Sequence, residues 1–273
     1  MNDLYNGMIQ ALGAIEQRRP VIHQITNYVT MGVCANALCA LGASPVMACA
    51  PEEAAAVTAQ SQALVLNLGT PDRTRFQTAL ACGHTAAAQG IPCILDPVGV
   101  GATAFRKEET ARLLANISPQ VIKGNVAESK TLLGFSLTEN HLIDSADFLT
   151  APMQHAFSAY ANEKNTVFAV TGQTNFLTDG QRCLCIAGGS PYLTRFSGAG
   201  CLTGSLIGAF LAVCPPWQAA IYAVASVTVA ARAAEPAAHG TGTFLTHFFD
   251  ALSHLTDLLQ KGMIPAEEIF YEP

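Results

Sequence analysis

Charged residues are scarce in this sequence of 273 amino acids. Asp, Glu, Lys and Arg make up 12% of it, whereas a soluble domain usually has roughly 25%. Hydrophobic residues make up 50%, which excludes intrinsic disorder and provides apolar surface for a large core. The shortage of charge also predicts that part of the surface is covered in an oligomer.

Positive charge is scarcer than negative charge. The sequence has 14 Lys and Arg against 20 Asp and Glu, which gives a formal net charge of −6. This acidic balance argues against nucleic acid or an anionic membrane as the main partner.

No apolar run is long enough to cross a membrane. The stretch 196–231 has no charged residue, but Pro215 and Pro216 divide it into apolar runs near 202–214 and 219–231. Each run has about 13 residues, fewer than the roughly 20 that a bilayer requires. We therefore predict two buried helices here.

Paired-cysteine patterns are also missing. The nine cysteines include no CxxC pair, and many lie in apolar segments, as expected of small buried side chains in a reducing compartment. Cys183 and Cys185 would share one face of a strand, but no further ligands occur at zinc-site spacing. The N-terminus has no basic start followed by an apolar run, so we predict no secretory signal and a cytoplasmic protein.

Short apolar strands alternate with helical segments. The predicted strands are 21–25, 45–48, 63–68, 92–96, 120–123 and 167–171, with a hairpin at 176–180 and 182–186. The predicted helices are 3–18, 28–41, 73–89, 107–116, 126–133, one within 146–162, most of 199–260, and one opened by Pro51-Glu52-Glu53. Asn27 and Gly42 are the expected caps of helix 28–41. This order predicts the α/β class: one domain over 1–273, with a mostly parallel central sheet and helices on both faces.

Polar residues and glycines follow four of the predicted strands. These strand ends are Asn67–Thr70, Asp96–Gly99, Lys123–Asn125 and Thr171–Gly172. In α/β folds, ligands bind beyond the carboxyl ends of the strands. We therefore expect the functional groups to gather along one edge of the sheet.

A glycine-rich stretch, Ser197–Gly204, precedes an apolar helix. Glycines allow a sharp bend close to a ligand, and the free N–H groups of a helix start favour an anion. A thiol at Cys201, in the first turn, is expected to have a lowered pKa. The alternative is a tightly packed helix start with Cys201 in the core.

Two acidic residues suit a cation site. Asp96 ends a buried strand, where it must be hydrogen-bonded, protonated or bound to a cation. Asn125 and Glu128 have the spacing of a helix capping box, and this capping role is the structural alternative for Asn125 and Glu128. In the functional interpretation, Glu128 lies near magnesium and phosphates beside Lys123. Mg²⁺ takes one or two carboxylates plus substrate phosphates, so Asp96 and Glu128 fit.

The segment from Pro20 to Pro51 has no charged residue. Val46 and Met47, with small neighbours, suit a neutral, flat, apolar ligand. The alternative is that Met47 fills the core and His23 is a hydrogen-bonded buried histidine.

Together these stretches resemble the hydroxyethylthiazole kinase family, a small branch of the ribokinase-like superfamily, from about His23 to Phe244. Cys201 is the specific sign, because most ribokinase-like enzymes have aspartate at the end of this glycine loop. The stretches that carry the resemblance are Ile25–Val29, Leu41–Ala48, Pro51–Glu53, Leu66–Thr70, Leu95–Gly99, Ala102–Thr103, Lys123–Asn125, Glu128, Ala169–Gly172 and Gly198–Cys201.

The resemblance implies a three-layer α/β/α fold and an activity. It implies that ATP phosphorylates the primary alcohol of 4-methyl-5-(2-hydroxyethyl)thiazole, a salvage step toward thiamine, with Mg²⁺. It also implies a homotrimer with the thiazole site at subunit interfaces.

The resemblance further implies residue roles. Those for the thiazole are Asn27, Val29, Met47 and Gly198; for ATP, Lys123, Asn125 and Thr171; for the metal, Asp96 and Glu128. Those for phosphoryl transfer are Asp96, Gly198, Ala199, Gly200 and Cys201. Cys201 is the candidate general base, the alternative being that it lines the site while the loop stabilises the phosphoryl group.

Three positions depart from the family pattern. Lys123 stands where arginine is usual, Gln24 where asparagine is common, and 238–244 where a Gly-Pro-Gly-Ser/Thr-Phe loop is common. Two other functions stay open: a kinase of another small heteroaromatic alcohol or sugar, and a catalytically silent thiazole- or nucleotide-binding regulator. The joint presence of Asp96, Lys123, Glu128 and Cys201 argues against a regulator.

Overall fold

The computed structural model describes residues 2–135, 149–262 and 264–272, and within them nine strands form one sheet. The strands are β1 (Val21–Ile25), β2 (Ser44–Val46), β3 (Ala63–Asn67), β4 (Cys93–Asp96), β5 (Val121–Asn125), β6 (Val167–Thr171), β7 (Thr174–Thr178), β8 (Cys183–Ala187) and β9 (Phe270–Tyr271). Their order is β2-β1-β3-β4-β5-β6-β7-β8-β9. The pairs from β2 to β6 are parallel, and those from β6 to β9 are antiparallel. The predicted mostly parallel sheet and the hairpin of β7 and β8 are confirmed, but β9, which the sequence did not predict, pairs with β8 and is the strand at the edge of the sheet.

Helices cover both faces of the sheet, which confirms the three-layer α/β/α architecture. They are α1 (Asn2–Arg18), α2 (Met31–Leu41), α3 (Ala54–Thr58), α4 (Arg73–Gln89), α5 (Ala104–Leu114), α6 (Val126–Leu132), α7 (Ala151–Lys164), α8 (Ala199–Leu211), α9 (Pro216–Ala234), α10 (Thr241–Ser253), α11 (Leu255–Gln260) and α12 (Ala266–Ile269). Helices α3 to α7 pack on one face, and the other helices pack on the opposite face around α8 and α9. Within the described residues, no helix combines the length and the apolar character that crossing a membrane requires.

The central strands are apolar throughout because both of their faces are covered. In β3, Ala63 and Val65 belong to the core on the α8 face, whereas Leu64 and Leu66 belong to the core on the α4 face. Successive side chains of a strand point to opposite faces. By this alternation, polar residues at the strand ends can be directed to the α8 face.

Helix α8 lies very close to the sheet because glycine recurs on the face that it presents there. Added Cβ atoms at Gly200, Gly204 and Gly208 would lie 3.0 Å from Lys123 Nζ, 3.2 Å from Asp96 Oδ2 and 2.5 Å from Val65 Cγ2, respectively. Three glycines at intervals of four residues therefore bring the helix backbone directly over the strand ends.

The predicted start of the second helix is wrong. Helix α2 follows Thr30 rather than Asn27, because the Asn27 Oδ1 atom accepts a hydrogen bond from the Thr30 N–H (2.9 Å) and closes a turn ahead of the helix. The predicted end is confirmed, since Gly42 adopts the left-handed conformation (φ 94°).

Other boundaries differ for local reasons. Pro51-Glu52-Glu53 forms a turn, since the Glu53 and Ala54 N–H groups both bond to the Ala50 carbonyl, and α3 begins only at Ala54. Helix α5 begins at Ala104, three residues early, because the Thr103 hydroxyl caps it by accepting from the Arg106 N–H (3.2 Å).

The remaining differences are small. Strand β2 ends at Val46 rather than residue 48, and α8 and α9 account for the two apolar runs. The helix predicted within 146–162 is found as α7, although residues 146–148 of that prediction lie outside the described residues.

Replacing Gly208 by alanine tests the close approach of α8 to the sheet. We expect Gly208→Ala to lower the free energy of unfolding in urea by about 1–3 kcal/mol, because the new methyl group collides with Val65 and Ile22. Gly13→Ala in α1 is the control, since an added Cβ there has nothing within 4 Å. The control is expected to stabilise by roughly 0.5–1 kcal/mol through helix propensity. Equal stabilities of the two variants would contradict this packing.

Candidate active site

The carboxyl ends of four parallel strands bring polar residues side by side, as predicted. Asn67 at the end of β3 pairs in register with Asp96 at the end of β4. Asn125 at the end of β5 pairs with Thr171 at the end of β6. The Thr171 hydroxyl donates to the Gly124 carbonyl (3.4 Å). These polar strand ends therefore lie along one edge of the sheet, as predicted from the sequence.

A buried ion pair lies at the centre of this edge. The Lys123 Nζ atom is 3.4 Å from Asp96 Oδ1, and the two side chains are 4% and 0% exposed. Burial raises the pKa of Asp96, and Lys123 and Asn67 offset part of that rise. Burial disfavours the charged form of Lys123, but Asp96 and Glu128 hold its pKa above the ordinary value. Lys123 therefore remains a cation in a site from which water is excluded.

Glu128 and Asn125 form the capping box of α6. The Asn125 Oδ1 atom accepts from the Glu128 N–H, and Glu128 Oε2 accepts from the Asn125 N–H, both at 2.8 Å. Glu128 Oε1 also accepts from the Gly99 N–H at 2.8 Å, which holds the loop after β4. The capping box, which was the structural alternative for Asn125 and Glu128, is therefore formed.

Glu128 is nevertheless electrostatically unusual. Burial raises its pKa to about 7, with Asp96 adding to the rise and Lys123 opposing it. Each carboxylate oxygen has a lone pair beyond the one that its backbone N–H occupies. The capping role therefore leaves Glu128 able to accept a further donor or to bind a cation.

The glycine loop meets α8 above the ion pair. Gly198 has φ 113°, a conformation that side chains rarely adopt, and an added Cβ would lie 3.1 Å from the Thr30 side chain. The first intrahelical hydrogen bond runs from the Leu202 N–H to the Gly198 carbonyl (2.8 Å). The N–H groups of Ala199, Gly200 and Cys201 thus belong to the first turn, which has no intrahelical acceptors. These donors and Lys123 make the site attractive to an anion.

The expected lowering of the Cys201 pKa is wrong. Burial is the largest effect and raises the pKa of the thiol, and the nearby Asp96 carboxylate adds to it. Lys123 and hydrogen bonds from neighbouring side chains offset only part of this rise. The thiol is therefore protonated at neutral pH, because loss of solvent outweighs the opposing effect of Lys123 and the hydrogen bonds.

A chain of hydrogen bonds joins the thiol to the ion pair. The Asn27 Nδ2 group donates to Cys201 Sγ (3.4 Å) and to Asn67 Oδ1 (3.0 Å). The Asn67 Nδ2 group donates to Asp96 Oδ2 (2.9 Å), and Lys123 contacts the other oxygen of Asp96. Sequence reasoning assigned no role to Asn67. Its signal was a polar residue at the end of a buried strand, the same signal that identified Asp96.

Arg106 is a second residue that sequence reasoning missed. Its Nη1 group donates to the carbonyls of Val98 (2.8 Å) and Leu68 (3.2 Å), and so ties together the loops that follow β4 and β3. Nothing in the local sequence distinguishes it from a surface arginine of a helix.

The residues predicted to contact an apolar ligand divide into buried and exposed groups. Asn27 is buried beside Cys201, and Met47 is half-buried just beyond β2, against the core on the α8 face. Val29 and its neighbour Tyr28 are 67% and 68% exposed. Within the described residues, Val29 is therefore mostly exposed, although Asn27, two residues earlier, is buried.

His23 is a hydrogen-bonded buried histidine, which is the structural alternative given for it above. Its ring nitrogens contact the Thr58 hydroxyl (2.8 Å) and the Ala48 carbonyl (2.9 Å), and burial lowers its pKa. Gln24, which stands where asparagine is common, accepts from the Ser205 hydroxyl at 2.6 Å. Both side chains serve packing behind the site.

The carboxylates fit a magnesium ion that arrives with phosphates. In the described part of the chain, no three His, Cys, Asp or Glu side chains group as a closed metal site. Asp96 and Glu128 both act electrostatically on Lys123. Mg²⁺ takes oxygen ligands and commonly completes its shell with water and substrate phosphates, so two carboxylates suffice.

Comparison with known proteins identifies the family of this chain. The family model described as "Hydroxyethylthiazole kinase family" matches residues 12–257. The chain is 41% identical over 252 residues to a hydroxyethylthiazole kinase of Cereibacter sphaeroides, covering 92% of this chain and 95% of the relative.

Solved structures show the same fold. A hydroxyethylthiazole kinase protein from Pyrococcus horikoshii superposes with a TM-score of 0.84 at 34% identity, over 93% of this chain and 96% of that one. A ribokinase-like superfamily protein from Enterococcus faecalis has a TM-score of 0.61 at 15% identity, over 88% and 87%, and supports the fold alone. The family match spans most of the chain, and the chain belongs to the hydroxyethylthiazole kinase family.

Proposed function

We propose that this protein transfers the γ-phosphoryl group of ATP to the hydroxyl of 4-methyl-5-(2-hydroxyethyl)thiazole, a salvage step toward thiamine. The observation that carries the proposal is the first turn of α8 lying over the Lys123–Asp96 pair. Phosphoryl transfer depends mainly on positioning and on neutralising charge. The family relatives carry the name of this activity.

The nucleotide half of the site is proposed around Lys123. The N–H groups of Ala199, Gly200 and Cys201 would hold the migrating phosphoryl group, and the Lys123 ammonium would offset its charge. Asn125 and Thr171, at neighbouring strand ends, would line the phosphates. Lysine keeps the positive charge of the family's usual arginine but loses its bidentate geometry.

Asp96 and Glu128 are the residues proposed to hold Mg²⁺. The ion, when bound, neutralises charge on the β- and γ-phosphates. Asn67 fixes the direction of Asp96, since it donates to Oδ2 while its own oxygen accepts from two N–H groups. Glu128 is fixed by the Gly99 and Asn125 N–H groups.

The alcohol half of the site is proposed between Asn27, Val29, Met47 and Gly198. A protonated Cys201 thiol does not take the hydroxyl proton before the transfer begins. In a loose transition state the nucleophile contributes little bonding, so its proton would be lost late, to an oxygen of the transferred phosphoryl group. We therefore assign Cys201 to contact with the reacting hydroxyl, and the stabilisation of the phosphoryl group to the loop.

We also propose a homotrimer with the alcohol site at its subunit interfaces. The support is the two-thirds exposure of Tyr28 and Val29 beside buried Asn27, together with the low charge of the chain. A neighbouring subunit would cover the exposed Val29 side chain.

A single domain over 1–273 and a cytoplasmic location are proposed as well. The location is proposed because all nine cysteines are free thiols.

The activity itself is the first test of these proposals. Purified protein with hydroxyethylthiazole and ATP is expected to form the phosphate ester, followed by mass spectrometry, and a chelator is expected to stop the reaction until Mg²⁺ is restored. Turnover of a pyrimidine alcohol or a sugar alone would favour a related kinase. Tight binding of the thiazole without turnover would favour a regulator.

Removal of the Cys201 thiol tests its role. We expect Cys201→Ala to lower kcat about tenfold or more while raising KM for the alcohol less, because the thiol contacts the reacting hydroxyl and orients it for the transfer. Cys39→Ala, at an exposed cysteine of α2, is the control and should leave both constants unchanged. An unchanged kcat in Cys201→Ala would remove the thiol from the chemical step.

The oligomer is tested by static light scattering of the purified protein. We expect a mass three times that of the 28.6-kDa chain. Val29→Glu is expected to weaken the assembly and the activity together, because it places a charge on the surface proposed to be covered. A monomeric or dimeric wild type with full activity would refute the shared site.

A further inference from the structure

Arg75 is a buried charge that the fold alone does not explain. It lies in the first turn of α4, directly after the exposed residues Arg73 and Thr74, yet only 7% of its surface is exposed. Its Nε atom is 3.9 Å from Asp72 Oδ2, too far for a hydrogen bond. Among the described residues, its Nε and Nη2 groups have no hydrogen-bond partner. Arginine is rarely buried without such pairing.

What Arg75 does contact is the segment that follows β1. Its Nη1 group donates to the Thr26 carbonyl. Its guanidinium carbon lies 3.8 Å from the centre of the Tyr28 ring, a cation–π geometry. The guanidinium therefore supports the backbone before Asn27 and the side chain after it.

The loop after β3 contacts the same segment through Gly69 and Thr70. The Tyr28 N–H donates to the Thr70 hydroxyl (3.3 Å). An added Cβ at Gly69 would lie 2.8 Å from the Asn27 Cβ, so the loop after β3 packs directly on Asn27. Arg75 and the loop after β3 thus both contact the segment 26–29 close to Asn27.

A ligand site for an anion is not the explanation. The cavity beside Arg75, between Phe76 and the Asn67–Gly69 segment, measures about 10 Å³. That is room for about one water molecule and not for a phosphate. The partner that accounts for the buried charge is therefore the 26–29 segment itself.

We infer that Arg75 is a positioning residue for the alcohol half of the active site. It acts from the α4 face of the sheet, opposite the Asn27–Cys201 contact on the α8 face, and fixes the segment that carries Asn27 and Val29. The inference rests on the proposed function, which places the alcohol against these two residues. Among the described residues, the side-chain hydrogen bond, ion pair and ring contact of Arg75 go to Thr26, Asp72 and Tyr28, and none of them reaches Lys123.

Steady-state kinetics of Arg75→Met test this inference. We expect KM for the thiazole alcohol to rise about tenfold or more, because small displacements of a positioning segment are costly, while KM for ATP stays within about twofold. Arg75→Lys keeps the cation under Tyr28 and one donor for Thr26, so its rise should be smaller. Arg73→Met, an exposed arginine two residues earlier, is the matched control and should change neither constant.

Calorimetric titration with the alcohol gives a second measure and should show the same order of affinities, wild type above Arg75→Lys above Arg75→Met. If Arg75→Met does not fold, as judged by circular dichroism, the Arg75→Lys comparison decides. Equal rises in both KM values, or unchanged constants in a folded Arg75→Met, would overturn the inference alone. A wild type that neither binds nor phosphorylates the alcohol would overturn the proposed function and this inference with it.

Discussion

The ion pair between Lys123 and Asp96 is the interaction on which the candidate site depends. Two opposite charges are buried 3.4 Å apart at the edge of the sheet. A buried pair of this kind is weak evidence for stability, because desolvation offsets much of the attraction. Its location is more informative, since the first turn of α8 lies directly above it. The fold keeps a buried cation and a helix start together, which is the combination that the proposed phosphoryl transfer requires.

This arrangement depends on residues without side chains as much as on charged ones. Gly200 and Gly204 allow α8 to approach Lys123 and Asp96, and Gly208 continues the same face over the apolar part of the sheet. One stripe of glycines thus serves packing at one end and chemistry at the other. The same closeness buries Cys201 and raises the pKa of its thiol, so the tight packing that builds the anion site also keeps the cysteine protonated.

Much of the fold and part of the site could be predicted from the sequence. The apolar strands and their polar ends follow from alternation and turn residues, and they correctly located Asp96 and Lys123 at one edge. Asn67 carried the same signal but could not be paired with Asp96 without the register of β3 and β4. The prediction of a lowered Cys201 pKa was wrong because the sequence shows that the thiol lies at a helix start but does not show that the thiol is buried. Arg75 and Arg106 look like ordinary helix arginines, since only tertiary packing determines which carbonyls they reach.

Structural and functional interpretations of one motif need not exclude each other. Glu128 caps α6 and clamps the loop at Gly99, yet burial gives it a pKa of about 7, far above that of an exposed capping glutamate. The two backbone N–H groups hold the carboxylate in one orientation and leave lone pairs for a cation. A cap of this kind would orient the proposed metal ligand before the metal arrives. The sheet edge supplies such orientation repeatedly, through Asn67 for Asp96 and through backbone amides for Glu128, so the rigidity of the strand ends determines the geometry of the site.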